Sequence, residues 1–264
     1  MNHIQPKQLP PISVTMLTKN SSRYIGACLS SVAGFDEVVI LDNGSTDNTL
    51  EIAQRFANVK IFKSEFIGFG PLKNLAQGYA SHDWILSIDS DEVLTPELRQ
   101  AIKNTVLDEQ NIYGFNRLNH FKGKPVHCCG WDKDTVKRLY NKTRTQFDNA
   151  QVHESIQMQG LTLTTIRGNL LHYSYDSIEE LIDKLQKYST LWAEQNYQKK
   201  TSSMFKAVYK SLFAFLKNYI LQKGILHGSI GLLISVCAAF GVFAKYTKLN
   251  ILYVNDNVKK ITRR

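Results

Sequence analysis

The sequence predicts an α/β fold: a mostly parallel sheet flanked by helices, followed by a basic helical region. Three observations predict it. Short apolar runs alternate with stretches of helical spacing through the first part of the chain, the pattern of a parallel sheet covered on both faces. Two of those runs end on an aspartate, Asp42 and Asp89. The excess positive charge, +9 over 264 residues, lies entirely late in the chain: residues 1–165 carry 17 Lys and Arg against 17 Asp and Glu, whereas residues 166–264 carry 15 against 6. A composition of 43% hydrophobic and 21% charged residues excludes a chain disordered over its whole length.

Taken in order, Ile12 to Leu17 is a buried strand opened by Pro10-Pro11, and Tyr24 to Val32 has helical spacing. Val38 to Leu41 is a second strand ending on Asp42. Asn43-Gly44-Ser45-Thr46-Asp47 supplies turn and helix-cap chemistry before a helix from Leu50 to Phe56. Val59 to Phe62 is a third strand, Lys73 to Ala80 a short helix, and Trp84 to Ile88 a fourth strand ending on Asp89. Thr95-Pro96 opens another helix, with proline at a tolerated first-turn position. From Tyr113 to Ile166 the pattern is less regular and suggests short strands around Phe115, Leu118, Val136, Leu139 and Val152. After Ser177 the chain turns helical: Ser177 with Glu180 forms a capping box, and Ile178, Leu181, Ile182, Leu185 and Trp192 form an apolar stripe. The division expected is a catalytic domain over residues 1–175 and a basic amphipathic region over 176–264.

The four cysteines, Cys28, Cys128, Cys129 and Cys237, are scattered and contain no Cys-x-x-Cys pair, so neither a disulfide framework nor a zinc site is expected. Met1 to Pro11 lacks a basic segment followed by an apolar run, so no signal peptide is expected. A reducing, cytosolic setting follows.

In open parallel sheets ligands bind beyond the carboxyl ends of the strands, where Asp42 and Asp89 are delivered. Asp89-Ser90-Asp91 places two carboxylates two residues apart straight after a buried strand. Carboxylates so placed can hold Mg²⁺ or Mn²⁺ against a diphosphate. The bare triplet is also a common solvated turn; its position at a strand end, with Asp42 ending another strand, favours the site.

Several blocks resemble the family-2 glycosyltransferases, whose Rossmann-like fold is called GT-A: Ser13-Val14-Thr15-Met16-Leu17-Thr18-Lys19-Asn20, Leu41-Asp42-Asn43-Gly44-Ser45-Thr46-Asp47-Asn48-Thr49, and Lys73-Asn74 ahead of Asp89-Ser90-Asp91-Glu92. Order and spacing match over roughly residues 12–95. The resemblance implies that Thr15 lines the nucleotide pocket, Asp42 binds uracil or ribose, Asp89 lies near the ribose and Asp91 is the main ligand of Mn²⁺ or Mg²⁺. It lets Lys73 approach the donor; a solvated helix lysine is the alternative.

In the second half, Val152-His153-Glu154 resembles a block in which the glutamate is the catalytic base. A carboxylate beside a histidine and the apolar Val152 and Ile156 suits removal of a proton from an acceptor hydroxyl; a surface loop glutamate is the alternative. His153 reads as an orienting or packing residue rather than a metal ligand. His172 corresponds to a late histidine that related enzymes use as a further metal ligand, with a core histidine as the alternative. Arg138 suits phosphate charge or a surface ion pair, and Trp131 a sugar face or the core. The resemblance implies inverting transfer without a covalent intermediate.

The tail carries its own pattern. Ser202 to Leu221 reads as an amphipathic helix, with Lys206, Lys210 and Lys217 on one side and Phe205, Val208, Tyr209, Leu212, Phe213, Leu216, Tyr219 and Ile220 on the other. That pattern suits a membrane interface, or a helix packed on the domain with its lysines in water. Ile230 to Ala244 is almost wholly apolar but shorter than the ~20 residues of a spanning helix. Interfacial burial is expected, with a core or dimer helix and a true span as alternatives. Leu171-His172-Tyr173-Ser174-Tyr175, the helix from Lys184 to Trp192, Lys223-Gly224-Ile225-Leu226-His227-Gly228 and Lys245-Tyr246 resemble bacterial lipopolysaccharide inner-core β-glucosyltransferases. Where the typical block reads Phe-Leu-Asp-Gly, this chain has Ile225-Leu226-His227-Gly228. The resemblance implies UDP-glucose as donor, a lipid-linked heptose as acceptor, and peripheral attachment at the cytoplasmic face of the bacterial inner membrane. Anionic lipid accounts for the basic tail. Nucleic acid is not expected, because the aromatics lie opposite the lysines rather than among them. Oligomeric state is left open. Two other readings stand beside this one: a polyprenyl-phosphate glycosyltransferase, and a non-catalytic membrane-binding module.

Overall fold

A computed structural model describes residues 10–132, 134–151 and 154–262, with side chains through residue 256. Two compact units emerge. One comprises residues up to Asn119 together with Lys133–Ser174; the other comprises His120–Asp132 and the chain from Tyr175 onward.

The first unit is built on a sheet. Strands β1 (Ile12–Thr18), β2 (Glu37–Asp42), β3 (Val59–Lys63) and β4 (Trp84–Asp89) run parallel in the order β3-β2-β1-β4. The sheet continues beyond β4 through β8 (Asp134–Asn141), β6 (Asn111–Phe121), β9 (Thr162–Tyr175) and β5 (Glu92–Leu94). The pairings β4–β8, β6–β8 and β5–β9 are antiparallel, so the sheet is parallel in one half and antiparallel in the other. The strands expected to be short in the irregular region are long, with 11 residues in β6 and 14 in β9.

The parallel half is buried on both faces, which is why its strands are apolar without alternation. All six residues of β2 are buried. Successive side chains point to opposite faces. Val38 and Ile40 join a core with α1 (Ile25–Val32) and α4 (Pro96–Asn104), while Val39 and Leu41 belong to clusters on other residues, Leu41 with Leu72 and Ala76 of α3 (Phe69–Gly78). Thr95 caps α4 by accepting the Leu98 N–H. The short helix α2 (Thr49–Ala53) follows β2. Helix α3 starts four residues before Lys73, the expected start. Gly68 at φ 107° turns the chain into it, and Pro71 falls within the first turn, where its missing N–H costs nothing.

The second unit is mainly helical and also holds the end of β6, paired with the two-residue strand β7 (Lys124–Pro125). Helix α5 (Ile178–Asn196) is capped by Ser177, which accepts the Glu180 N–H at 3.0 Å; the Glu180 carboxylate returns to the Asp176 N–H at 2.8 Å. Helix α6 (Met204–Leu216) runs into a π-helical turn (Lys217–Leu221), a 3₁₀ turn (Gly224–His227) and the 35-residue α7 (Gly228–Thr262). Phe121, Val126, Cys128, Cys129, Leu181, Ile234 and Cys237 form this unit's core. All four cysteines are free and buried.

Candidate active site

The carboxyl ends of the parallel strands assemble the site. Register places Thr18 beside Asp42 and Leu17 beside Asp89, so both aspartates flank the last two residues of β1. Their surroundings differ. Asp42 is 1% exposed and closes its own loop. It accepts from Gly44 N–H and Ser45 N–H at 3.0 Å each, from the Ser45 hydroxyl at 2.5 Å and from the Thr18 hydroxyl at 3.1 Å. Burial opposes the charge, but the hydrogen bonds from Ser45, Gly44 and Thr18 prevail and lower its pKa. Its acceptor capacity is thus occupied by the loop. Thr15 lies mid-strand in β1 and is 2% exposed.

Asp89 sits between two cations. Lys73 Nζ donates to Oδ1 at 3.1 Å and an Arg138 N–H donates to Oδ2 at 2.6 Å. Burial works against ionisation here too, and Arg138 first and Lys73 second overcome it, holding the carboxyl far below its usual range. Lys73, buried within α3, turns its other side to Glu154, 2.8 Å from Oε1. Arg138 reaches onward to Glu92 at 2.5 Å, and Glu92 also faces Arg117 at 3.4 Å. Arg117 in turn contacts Asp134 at 2.5 Å. Glu154, Lys73, Asp89, Arg138, Glu92, Arg117 and Asp134 therefore form one chain of alternating sign, four carboxylates to three cations. Arg138 has its charge committed to Asp89 and Glu92 inside the protein; its Nε is buried with no partner among the described residues.

Asp91 stands beside this chain. Its Oδ2 is 3.4 Å from His172 Nε2, an approach that follows from pairing Glu92 with His172 across β5 and β9. His172 Nδ1 lies 2.7 Å from Asn119 Oδ1, which accepts, and 2.9 Å from the Ser174 hydroxyl. The Asn119 oxygen therefore assigns a proton to Nδ1, and Nε2 faces the carboxylate. An oxygen and an imidazole nitrogen so opposed are a donor pair that a divalent cation fits, with the second ring nitrogen fixed by a carbonyl as metal-bound histidines require. Among the described residues no cluster of three or more His, Cys, Asp or Glu side chains could hold a metal by itself. The remaining positions would fall to ligand oxygens and water, as Mg²⁺ prefers.

The structure thus brings together Lys73, Asp89, Glu154 and Arg138 in one network and Asp91 with His172 in a second contact, and sets Thr15 and Asp42 into the strand and loop that shape the edge. Val152 and His153 lie outside the described residues, as do residues 1–9. Trp131 packs against the core of the helical unit, 5.8 Å from Tyr175. Sequence reasoning missed Glu92, Arg117, Asp134 and Asn119. Glu92 was visible as the fourth residue of the acidic block, but nothing in the sequence marks it as fully buried.

Comparison with known proteins bears on this site. A family model described as Glycosyl transferase family 2 matches residues 13–161. An uncharacterized glycosyltransferase of Rickettsia prowazekii (strain Madrid E) is 32% identical over 257 residues, covering 91% of this chain and 87% of its own. The lipopolysaccharide core biosynthesis glycosyltransferase LpsC of Rhizobium meliloti (strain 1021) is 28% identical over 265 residues, covering 94% of this chain and 96% of its own. Among solved structures, S. aureus TarS 1-349 in complex with UDP-GlcNAc covers 93% of this chain and 92% of its own, at 16% identity and a TM-score of 0.44.

Proposed function

The chain belongs to glycosyl transferase family 2, and from that membership we propose that it moves glucose from UDP-glucose onto a heptose of the lipid-linked lipopolysaccharide inner core, with inversion, at the cytoplasmic face of the inner membrane. The name and near-complete coverage of the Rhizobium relative support the acceptor class. The observation that carries the chemistry is Lys73, a buried ammonium bridging the donor-side carboxylate Asp89 and the acceptor-side carboxylate Glu154.

Glu154 takes the proton of the acceptor hydroxyl as that oxygen bonds to C1 of the sugar. The bond from C1 to the diphosphate oxygen breaks in the same displacement, and the nucleoside diphosphate leaves with its electron pair. Lys73 holds Glu154 in place and ties it to Asp89. Arg138 braces Asp89 against Glu92, so the donor-side carboxylate is fixed before the donor arrives. Asp42 keeps the loop after β2 in shape. Asp91 and His172 Nε2 would hold Mn²⁺ or Mg²⁺, which neutralises diphosphate charge. With Asp91 counted, carboxylates exceed cations by two in this network, a surplus that a divalent cation matches.

The test is a panel of UDP-, GDP- and dTDP-sugars with Mn²⁺ or Mg²⁺, scored for donor hydrolysis and for transfer to truncated lipopolysaccharide. UDP-glucose turnover that needs a divalent cation is expected, and Asp91→Ala should abolish it while the circular dichroism stays native. Undiminished turnover in that variant, or no cation-dependent turnover with any donor, overturns the assignment. Glu154→Gln should lower transfer about 10²–10⁴-fold. A phosphate acceptor needs no proton removed, so full transfer by that variant would point to a polyprenyl-phosphate acceptor instead.

A further inference from the structure

The helical unit leaves a long apolar surface uncovered. Helix α6 buries only Ala207, the π-helical turn after it buries nothing, and the 3₁₀ turn buries only Gly224. Phe205 is 83% exposed, Leu221 and Leu226 are 74% exposed, and Leu212, Phe213 and Ile225 are each more than half exposed. Contiguous apolar surface of this kind marks an interaction site.

The turn that presents it is tightly built. A Cβ on Gly231 would lie 1.9 Å from the Gly224 carbonyl oxygen, so the 3₁₀ turn rests directly on the first turn of α7. The Gln222 carbonyl accepts the Cys129 N–H at 3.0 Å. Leu221, Ile225 and Leu226 are therefore held outward by a fixed backbone.

Charge identifies the occupant. Between Glu194 and Asp256 the sequence holds eight lysines and no acidic residue. A symmetric contact with a second copy would set those lysines against one another, whereas an anionic lipid surface pairs with them.

Helix α7 belongs to a stretch, Gly224–Asp256, long and apolar enough to cross a bilayer by length and composition, with a mean hydropathy of 2.0 over 18 of its residues. Its packing argues against a crossing. Lys248 Nζ lies within 2.9 Å of four acceptors on α5: the Gln186 carbonyl and side chain, Ser189 and Thr190. Helix α5 also packs beside the middle of α7, where a Cβ on Gly241 would lie 2.9 Å from Leu185, so a spanning path would draw Asp183, Lys184 and Lys187 of α5 toward lipid. The apolar part ahead of Lys248, Gly228–Ala244, rises only about 25 Å, short of a ~30 Å hydrocarbon core.

We propose that the hairpin of α6, the two turns and the start of α7 is a monotopic wedge. Leu221, Ile225 and Leu226 enter one leaflet of an anionic bilayer, the flanking lysines meet its headgroups, and both ends of the hairpin stay on the same side. The proposal rests on the membrane-surface reading above and deepens it, but not on the catalytic one.

The full chain is floated with phosphatidylcholine vesicles with and without phosphatidylglycerol. Binding that requires phosphatidylglycerol is expected, and Leu221→Asp with Leu226→Asp should weaken it more than tenfold while donor hydrolysis is unchanged. Binding indifferent to phosphatidylglycerol, or to the double substitution, overturns the proposal. Leu226→Cys is then bound to sealed vesicles loaded with a membrane-impermeant maleimide; no labelling from within is expected, and labelling there shows a span. A dimer that binds no vesicle and that the double substitution splits, seen by light scattering, assigns the surface to a second copy. Vesicle binding is read without substrate, so a failed sugar-transfer assay leaves these outcomes readable.

Discussion

Arg138→Met removes one charge from the middle of the alternating chain and preserves most of the side chain's length. Glu92, 0% exposed, then keeps Arg117 as a cation at 3.4 Å and the Asp89 N–H at 3.0 Å, and Asp89 keeps Lys73 at 3.1 Å. Stranding a buried charge costs about 3–5 kcal/mol, a large fraction of the ~5–15 kcal/mol that holds a domain together. At about 2–4 °C per kcal/mol for a chain of this size, the melting temperature of the sheet unit should fall by about 6–20 °C. Trp84, 6% exposed in β4, reports that unit alone once Trp131 and Trp192 are replaced by Phe. Adding Glu92→Gln neutralises the stranded group and should restore part of the loss, which a double-mutant cycle measures. The pH dependence has a definite sign. Asp89 is held below its ordinary pKa, so its contribution is complete above the unfolded value near ~3.9 and is lost as pH falls through the much lower folded value. The gap between wild type and Arg138→Met should therefore be full at neutral pH and narrow only in strong acid. A single variant that melts with the wild type, or a double variant less stable than the single, would refute the network.

Three further predictions follow from particular contacts. A Cβ on Gly70 would lie 2.0 Å from the Asp148 carbonyl oxygen, in the loop that leads to Glu154; Gly70→Ala should displace that loop and lower kcat/KM about 10²-fold in steady-state assays, and wild-type turnover would show that the loop does not set Glu154. Glu37, 4% exposed, pairs with Lys60 at 2.6 Å and accepts from Ser13 and Ser81, contacts that outweigh burial and lower its pKa to about 2. Glu37→Gln should cost roughly 2 kcal/mol in denaturant titrations at neutral pH. A carboxylate pKa depressed on folding stabilises above its unfolded value, so this gap should close as pH falls from about 4.5 to about 2; a gap that widens in acid contradicts the assignment. Burial pushes up the thiol pKa of Cys28, with the carboxylates of Glu92, Asp91 and Asp89 adding to it, and burial followed by the Cys129 contact pushes Cys128 up to about 12. Native protein at pH 8 should therefore give almost no rapid reaction with Ellman's reagent, and four thiols once denatured; prompt reaction of even one would contradict the burial.

The parallel half of the sheet was legible because burial on both faces leaves a continuous apolar run, as in Val38 to Leu41, and because each run stops where its polar end residue meets the edge. The antiparallel half was read as short pieces. Strand β9 is exposed along much of its first half, and β6 carries Asn116, Arg117 and Asn119 among its apolar residues, so neither strand shows an unbroken signal. Helix α3 was started late because Phe69-Gly70-Pro71 has the composition of a turn, and only Gly68's backbone and the 148–151 loop make it a first helical turn. The apolar run Ile230 to Ala244 lies within α7, which continues past Lys245 to Thr262; local composition cannot show that Lys248 is absorbed there by Gln186, Ser189 and Thr190 on another helix. The site divides along the same line. Asp89 and Asp91 announce themselves because their chemistry is carried by spacing at a strand end. Glu92, Arg117 and the Lys73–Glu154 contact do not, because each acquires its role from a partner distant in the chain. Sequence patterns report the backbone element and the face a residue occupies; the pairing of charges inside the fold is fixed only when the elements meet. The carboxylates can therefore be named from sequence, while the cations that hold them in place require the three-dimensional arrangement.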